Sequence, residues 1–338
     1  TGLSASGTVT YREVSREAGL FRDERALGAI FTDADNDGDL DLYIANDGQA
    51  NRLYEYVPTD TALGFRYIDR HHTANVGDTG SGMGVASADY DGDGQFDLFV
   101  TNWEAELNAL YLNQTQQHGY INFRYSTYRI GLMGLGNNMT GWGTALADFD
   151  HDGDADMLTV NGRVPVANLQ SDPELIRFYG NLTVEGGHGQ FREWTNLIGL
   201  DDVGRLSARG SAVADYDNDG DLDIAVNTIA GRAYLLENRQ PAGAALQLAL
   251  DRPQPGTVAA VTLPDGAVIR RELHIGSSYL ASEDPRLHFG LGDVERVPQV
   301  RITYPDGTSV TYSDVPAGVL QIAHQHHHAA ADAVARVD

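Results

Sequence analysis

One nine-residue pattern, D-x-D-x-D-G-x-x-D, returns four times in this chain. It occupies residues 33–41 (DADNDGDLD), 89–97 (DYDGDGQFD), 148–156 (DFDHDGDAD) and 215–223 (DYDNDGDLD). The starts lie 56, 59 and 67 residues apart. A period of this size means one supersecondary unit used repeatedly, with neighbouring units burying each other's faces. The flanks repeat as well. A small-residue run precedes each loop, at 28–32, 84–88, 143–147 and 210–214. An apolar run follows each, at 42–46, 98–102, 157–161 and 224–227, and each ends on Asn. Next comes a tyrosine segment around Tyr54, Tyr111, Tyr179 and Tyr234. An aromatic-Arg pair opens each unit, at Tyr11-Arg12, Phe65-Arg66, Phe123-Arg124 and Phe191-Arg192. Three of these run on into Gly-Leu, at 19–20, 131–132 and 199–200.

Each unit therefore holds about four short strands, the pattern of a propeller blade. The expected fold is all-β: a calcium-binding β-propeller of four recognisable blade repeats over residues 9–240, followed by a small β-sandwich-like domain. The small residues suit the innermost strand, where blades crowd the axis. A closed four-bladed ring is the first expectation. A partial ring completed by another chain is the alternative.

The loops are built for a hard cation. Calcium takes six to eight oxygen ligands, and an alternating Asp loop points side chains 1, 3 and 5 at one spot. Gly at position 6 permits the sharp turn, position 7 offers its carbonyl, and position 9 closes the site. The expected ligands are Asp33, Asp35, Asp37, Asp39 and Asp41 in the first loop. In the second they are Asp89, Asp91, Asp93, Gln95 and Asp97. The third supplies Asp148, Asp150, Asp152, Asp154 and Asp156, and the fourth Asp215, Asp217, Asp219, Asp221 and Asp223. An EF-hand would need Glu at position 12 between helices; that position is Ile44, Val100, Thr159 or Val226, inside strands. Magnesium tolerates all-protein cages poorly. About four Ca2+ per chain are expected, mainly structural. Without a cation each loop crowds four carboxylates together, which is destabilising.

Charge supports that reading. Asp and Glu total 48 against 23 basic residues, all of them Arg, for a net charge of −25. Four ions would bring −25 to −17. So acidic a chain repels nucleic acid. There is no Cys, which removes disulfides, thiolate metal sites and Cys nucleophiles.

The repeated loops resemble the FG-GAP/VCBS repeats of integrin-like β-propellers, over residues 9–240. That resemblance implies calcium within the blades, at the Asp residues named above.

Beyond residue 240 the acidic loops stop. Residues 240–245 (QPAGAA) read as a linker. Alternating segments at 246–250, 259–263, 268–273 and 300–304 read as strands, with Pro-Asp-Gly turns at 264–266 and 305–307. Residues 276–292, followed by 304–307, resemble the ASPIC/UnbV domain, expected over 245–325. The tail, 326–338, is His/Ala-rich. Its neighbouring cluster His324–His328 reads as an exposed polar segment in preference to a zinc, copper or nickel site. His71-His72 reads as a surface pair, and His274 and His288 as structural. No run of apolar residues is long enough to span a membrane. The chain opens on Thr1, reads as mature or trimmed, and is expected to be extracellular or periplasmic.

These features favour an exported module for binding, adhesion or assembly. Its partners would be protein or glycan at a propeller rim or at the C-terminal domain, with self-assembly a further option. No G-x-S-x-G elbow and no converging acid/base pair is present, so the reading leans away from an enzyme. The rivals are a secreted lyase, hydrolase or cyclase with an axial pocket, and a subunit of an extracellular polymer or larger complex.

Overall fold

The structure, a computed structural model, describes residues 11–129, 136, 138–164, 173–187, 189–229, 231–239 and 243–322. The Gly-Leu pair at 131–132, residues 240–242 of the linker, the His324–His328 cluster and the tail lie outside the described residues. The chain is all-β. The first sheet is a meander of β1 (Ala26–Thr32), β2 (Asp41–Asn46), β3 (Arg52–Pro58) and β4 (Phe65–Asp69). The second repeats it with β5 (Val85–Ala88), β6 (Asp97–Val100), β7 (Ala109–Asn113) and β8 (Phe123–Tyr125). In the third, β9 (Gly141–Ala147) and β10 (Asp156–Asn161) lead through a short β11 (Glu174–Leu175) to β12 (Arg177–Asn181) and β13 (Phe191–Glu193). A short β14 (Arg205–Leu206) pairs back with β11. The fourth sheet is three-stranded: β15 (Ala208–Ala214), β16 (Asp223–Thr228) and β17 (Tyr234–Leu236). Among the described residues none of the sheets closes on itself.

The strands that enter the acidic loops stand side by side in the order β1, β5, β9, β15. Their first glycines explain why small residues recur there. A Cβ on Gly28 would lie 2.1 Å from Met83 O, and one on Gly84 2.0 Å from Trp142 O. Each inner strand thus passes the next at backbone distance, a propeller-like arrangement. Apolar layers fill the gaps between sheets: Ile30, Tyr43, Leu53, Leu98 and Tyr111 between the first two; Phe99, Leu110, Met157 and Tyr179 between the second and third; Leu158, Phe178, Val213 and Ile224 between the third and fourth.

The C-terminal residues form two facing sheets. One holds β21 (Leu287–Gly292), β18 (Ala244–Leu250) and β24 (Gly318–Ile322), the last parallel to β18. The other runs β20 (Val268–Glu272), β19 (Val258–Thr262), β22 (Arg296–Thr303) and β23 (Ser309–Pro316). Leu246, Val261, Phe289, Val300 and Ile302 form the core between them.

The link from β20 to β21 reaches into the repeat unit. Ser278 exchanges both backbone hydrogen bonds with Val85, at 3.1 and 2.6 Å. Its Oγ accepts the Thr144 N–H at 3.0 Å and lies 3.1 Å from Ser211 Oγ. Tyr279 packs edge-on against Trp142. A Cβ on Gly210 would meet Tyr279 O at 2.8 Å, so this link runs where a following inner strand would pass.

One expectation is corrected here. His71 is not a surface residue: it is buried, with its Nδ1 2.5 Å from Asp69 Oδ1. Arg52 contacts its ring, and Glu24 pairs with that Arg, so a charged cluster takes the histidine inside. His72 stays exposed.

Candidate metal centre

The four acidic loops share one hydrogen-bond scheme. The position-1 carboxylate accepts the N–H of the glycine at position 6: Gly38 to Asp33 at 3.1 Å, Gly94 to Asp89 at 3.0 Å, Gly153 to Asp148 at 3.0 Å, and Gly220 to Asp215 at 3.2 Å. The glycines hold φ between +85° and +104°, which a side chain resists. Position 5 accepts the N–H of position 7 throughout, at 2.9–3.0 Å. The turn folds around its own carboxylates and points the remaining oxygens inward.

Position 9 has a second task. Asp97 accepts Tyr90 N–H at 3.1 Å and Asn113 N–H at 2.7 Å. Asp41, Asp156 and Asp223 do the same with Ala34 and Tyr56, Phe149 and Asn181, and Tyr216 and Asn238. Asp41, Asp97 and Asp156 tie the start of their loop to the third strand of their own sheet, and Asp223 ties its loop to Asn238, two residues past that strand. Each oxygen keeps a further lone pair.

In each loop three carboxylate oxygens come within 4.8 Å of one another: Asp33, Asp35 and Asp37; Asp89, Asp91 and Asp97; Asp148, Asp150 and Asp152; Asp215, Asp217 and Asp223. Position 7 differs between loops. Asp39 and Asp221 are half-buried, whereas Gln95 and Asp154 are buried. Burial raises Asp33, Asp35, Asp89, Asp91 and Asp148 to about 6, Asp39 and Asp150 to about 7, Asp154 to about 8 and Asp41 to about 9. Neighbouring carboxylates push the same way. Asp97 and Asp156 rise well above the usual carboxylate range for the same reasons. Two position-1 oxygens, Asp89 Oδ1 and Asp148 Oδ1, are buried with no hydrogen-bond partner. An orphaned anionic oxygen is costly unless a cation meets it, so the donor set fits a hard divalent ion.

The C-terminal sandwich rests on these loops. Buried Glu272 accepts Thr32 Oγ1–H at 2.6 Å and Asp33 N–H at 3.0 Å. Arg270 donates to Asn36 Oδ1 at 3.1 Å and to Gly94 O, linking the first two loops. Arg271 donates to Gly153 O at 3.2 Å, and Gly290 N–H to Asp148 Oδ2 at 2.9 Å. Gln247 Nε2 donates to Asp215 Oδ2 and Arg286 Nη2 to Asp215 O, both at 2.5 Å. His288, held neutral by burial with its pKa near 3, sits 2.9 Å from Gly220 O through Nε2. Apart from His288, read as structural, sequence reasoning missed these residues. The signal was present as three successive charges, Arg270-Arg271-Glu272, which break the alternation of a strand.

Between the inner strands and the sandwich lies a cavity of about 100 Å3, bordered by Ser87, Val213, Arg271, Glu272 and His274. Burial raises Glu272 to about 7 and lowers His274, whose Nε2 stands 3.5 Å from Glu272 Oε2. Substrate pockets run to roughly 300–1,000 Å3; this one has room for a few waters.

The comparisons with known proteins fall on the same two regions. A family model described as an FG-GAP-like repeat matches residues 33–100, and one described as ASPIC and UnbV matches residues 249–328. The chain carries an FG-GAP-like repeat and an ASPIC/UnbV domain. Cartilage acidic protein 1 of Mus musculus is 27% identical over 317 residues, covering 91% of this chain and 46% of that protein. The Homo sapiens protein of that name is 27% identical over 316 residues, covering 90% and 44%, and the Xenopus tropicalis one 26% over 346, covering 95% and 48%. The chain thus spans just under half the length of these relatives. Among solved structures, the V. cholerae biofilm matrix protein Bap1 aligns with 86% of this chain and 60% of its own, at 12% identity and a TM-score of 0.32. The ASPIC/UnbV domain, then, is the unit that covers the acidic loops. No helix among the described residues is long and apolar enough to cross a membrane.

Proposed function

We propose that this chain is an exported, calcium-stabilised propeller module for binding, adhesion or assembly. Its four blade repeats would span residues 9–240, and its ASPIC/UnbV domain 245–325. The loops at 33–41, 89–97, 148–156 and 215–223 would each hold one calcium ion through positions 1, 3, 5, 7 and 9. The observation that carries this reading is the orphaned, buried Oδ1 of Asp89 and Asp148, set in a loop scheme that all four repeats share. Bound calcium would supply the positive charge these oxygens lack and would fix the surface on which the ASPIC/UnbV domain rests. Protein or glycan would then be recognised at the rim or on the ASPIC/UnbV domain.

Thermal unfolding in calcium and in chelator, alongside a count of bound ions, tests the reading. An ion that binds only the folded chain adds about 2.7 kcal/mol per site at 100 times its Kd. A strongly raised melting temperature with at least one ion per loop is the expected result. An unchanged melting curve with no bound ion would overturn it.

A further inference from the structure

Among positions 1, 3, 5, 7 and 9, the third loop differs from the second at position 7 alone, and the difference leaves charge unanswered. In the second loop position 7 is Gln95. Its Nε2–H donates to Asp93 Oδ2 at 2.7 Å, and its Oε1 accepts the N–H of Gln116 at 2.7 Å. One amide thus neutralises the position-5 carboxylate and holds the turn after the third strand. In the third loop the same place is taken by Asp154. Its Oδ2 keeps the equivalent backbone contact, accepting Val184 N–H at 3.1 Å. The donor to position 5 is gone, and two carboxylates face each other.

The consequence is visible in the unpartnered atoms. Asp154 is 7% exposed, yet its Oδ1 has no hydrogen-bond partner, and neither has the buried Oδ2 of Asp152. The charged groups acting on Asp154 are Asp152, Asp148 and Asp150, all of its own sign. From the turn at Thr183–Gly187, Glu185 adds a third carboxylate, and one oxygen each of Asp152, Asp154 and Glu185 lies within 4.8 Å of the others. Among the described residues no other loop has this second group.

We propose that Asp152, Asp154 and Glu185 bind a second hard divalent cation in the third loop, where the Gln95 amide stands in the second. Asp152 would bridge it to the ion at Asp148 and Asp150. Exposed Glu185 would leave room for water to complete the coordination. This inference rests on the calcium reading above, and its test separates the two.

Bound calcium is counted on the desalted chain by native mass spectrometry and elemental analysis, for the wild type, Glu185→Gln and Asp154→Gln. The second substitution copies Gln95, so the local turn is preserved, and a melting curve in chelator confirms folding. The expected result is one ion more than the number of acidic loops in the wild type, and one fewer in either variant. Equal counts in all three proteins, with calcium still bound, would overturn the second site and leave the loop sites standing. No calcium on any of them would overturn both.

Discussion

Gly290 donates its backbone N–H to Asp148 Oδ2 across 2.9 Å, although 142 residues separate the two. The same oxygen accepts Gly153 N–H within the loop. The first carboxylate of the third loop is therefore positioned partly by the ASPIC/UnbV domain. A Cβ at 290 would stand 2.2 Å from that oxygen and 2.3 Å from His151 Cα, both too close to hold.

Gly290→Ala is accordingly expected to push the domain off the loop. Overpacking of this kind costs about 1–3 kcal/mol. Limited proteolysis should find the junction near residue 243 cut faster, with a lower melting temperature. A variant as protease-resistant as the wild type would show that the contact does not hold the domain.

Asp97→Asn tests the double role of position 9. The aspartate receives two backbone N–H groups, from Tyr90 and Asn113. Asparagine offers one oxygen and sets an NH2 against the second donor, at a cost of about 1–3 kcal/mol for the group left unpaired. The loss should appear in calcium and in chelator alike. A loss confined to calcium would mean that the residue serves the ion alone.

Acidity should protect the ion-free chain. Asp150, Asp154 and Asp41 sit near 7, 8 and 9 when folded, against an ordinary 3.8. The folded state then keeps protons that the unfolded chain has released, so stability falls as pH rises. It is fully present below about pH 4 and drains away as pH climbs through the range of the folded values. In chelator the melting temperature should fall between pH 5.5 and 8.5, and calcium should flatten or reverse the trend. A melting temperature that rises with pH in chelator would contradict this.

Ser278→Ala should weaken the joint at the centre of the repeats. It removes the acceptor of the buried Thr144 N–H and the partner of Ser211 Oγ. About 1–3 kcal/mol follows from leaving that N–H unsatisfied. Chemical denaturation would measure it, and an unchanged midpoint would show that water replaces the hydroxyl.

The repeat made much of this architecture legible. Glycine before each loop, alternating Asp and the tyrosine segment each report a local geometric need, and local needs leave local marks. Gly84, for example, is small because Trp142 O passes 2.0 Å from where its Cβ would be. Arg270, Glu272 and Gln247 were not legible as partners of the loops, nor Ser278 as a partner of the inner strands. Each acts on a residue far away in sequence, and a strand pattern records which face is apolar without recording what the polar face will meet. His71 was misread for a related reason. Its burial depends on Arg52, Asp69 and Glu24 converging from separate strands and loops, which no spacing announces.

Placing Ser278 among β5, β9 and β15 also sets an order of events during synthesis. Thr144 leaves the ribosome 134 residues ahead of the serine that will accept its N–H. For that interval the nascent repeats carry an open seam, with backbone donors and the Trp142 ring awaiting their partners. A chain halted before residue 278 would display this seam to whatever is nearby, including another unfinished copy. Synthesis of the segment that carries Ser278 is thus what seals the earlier part against wrong company.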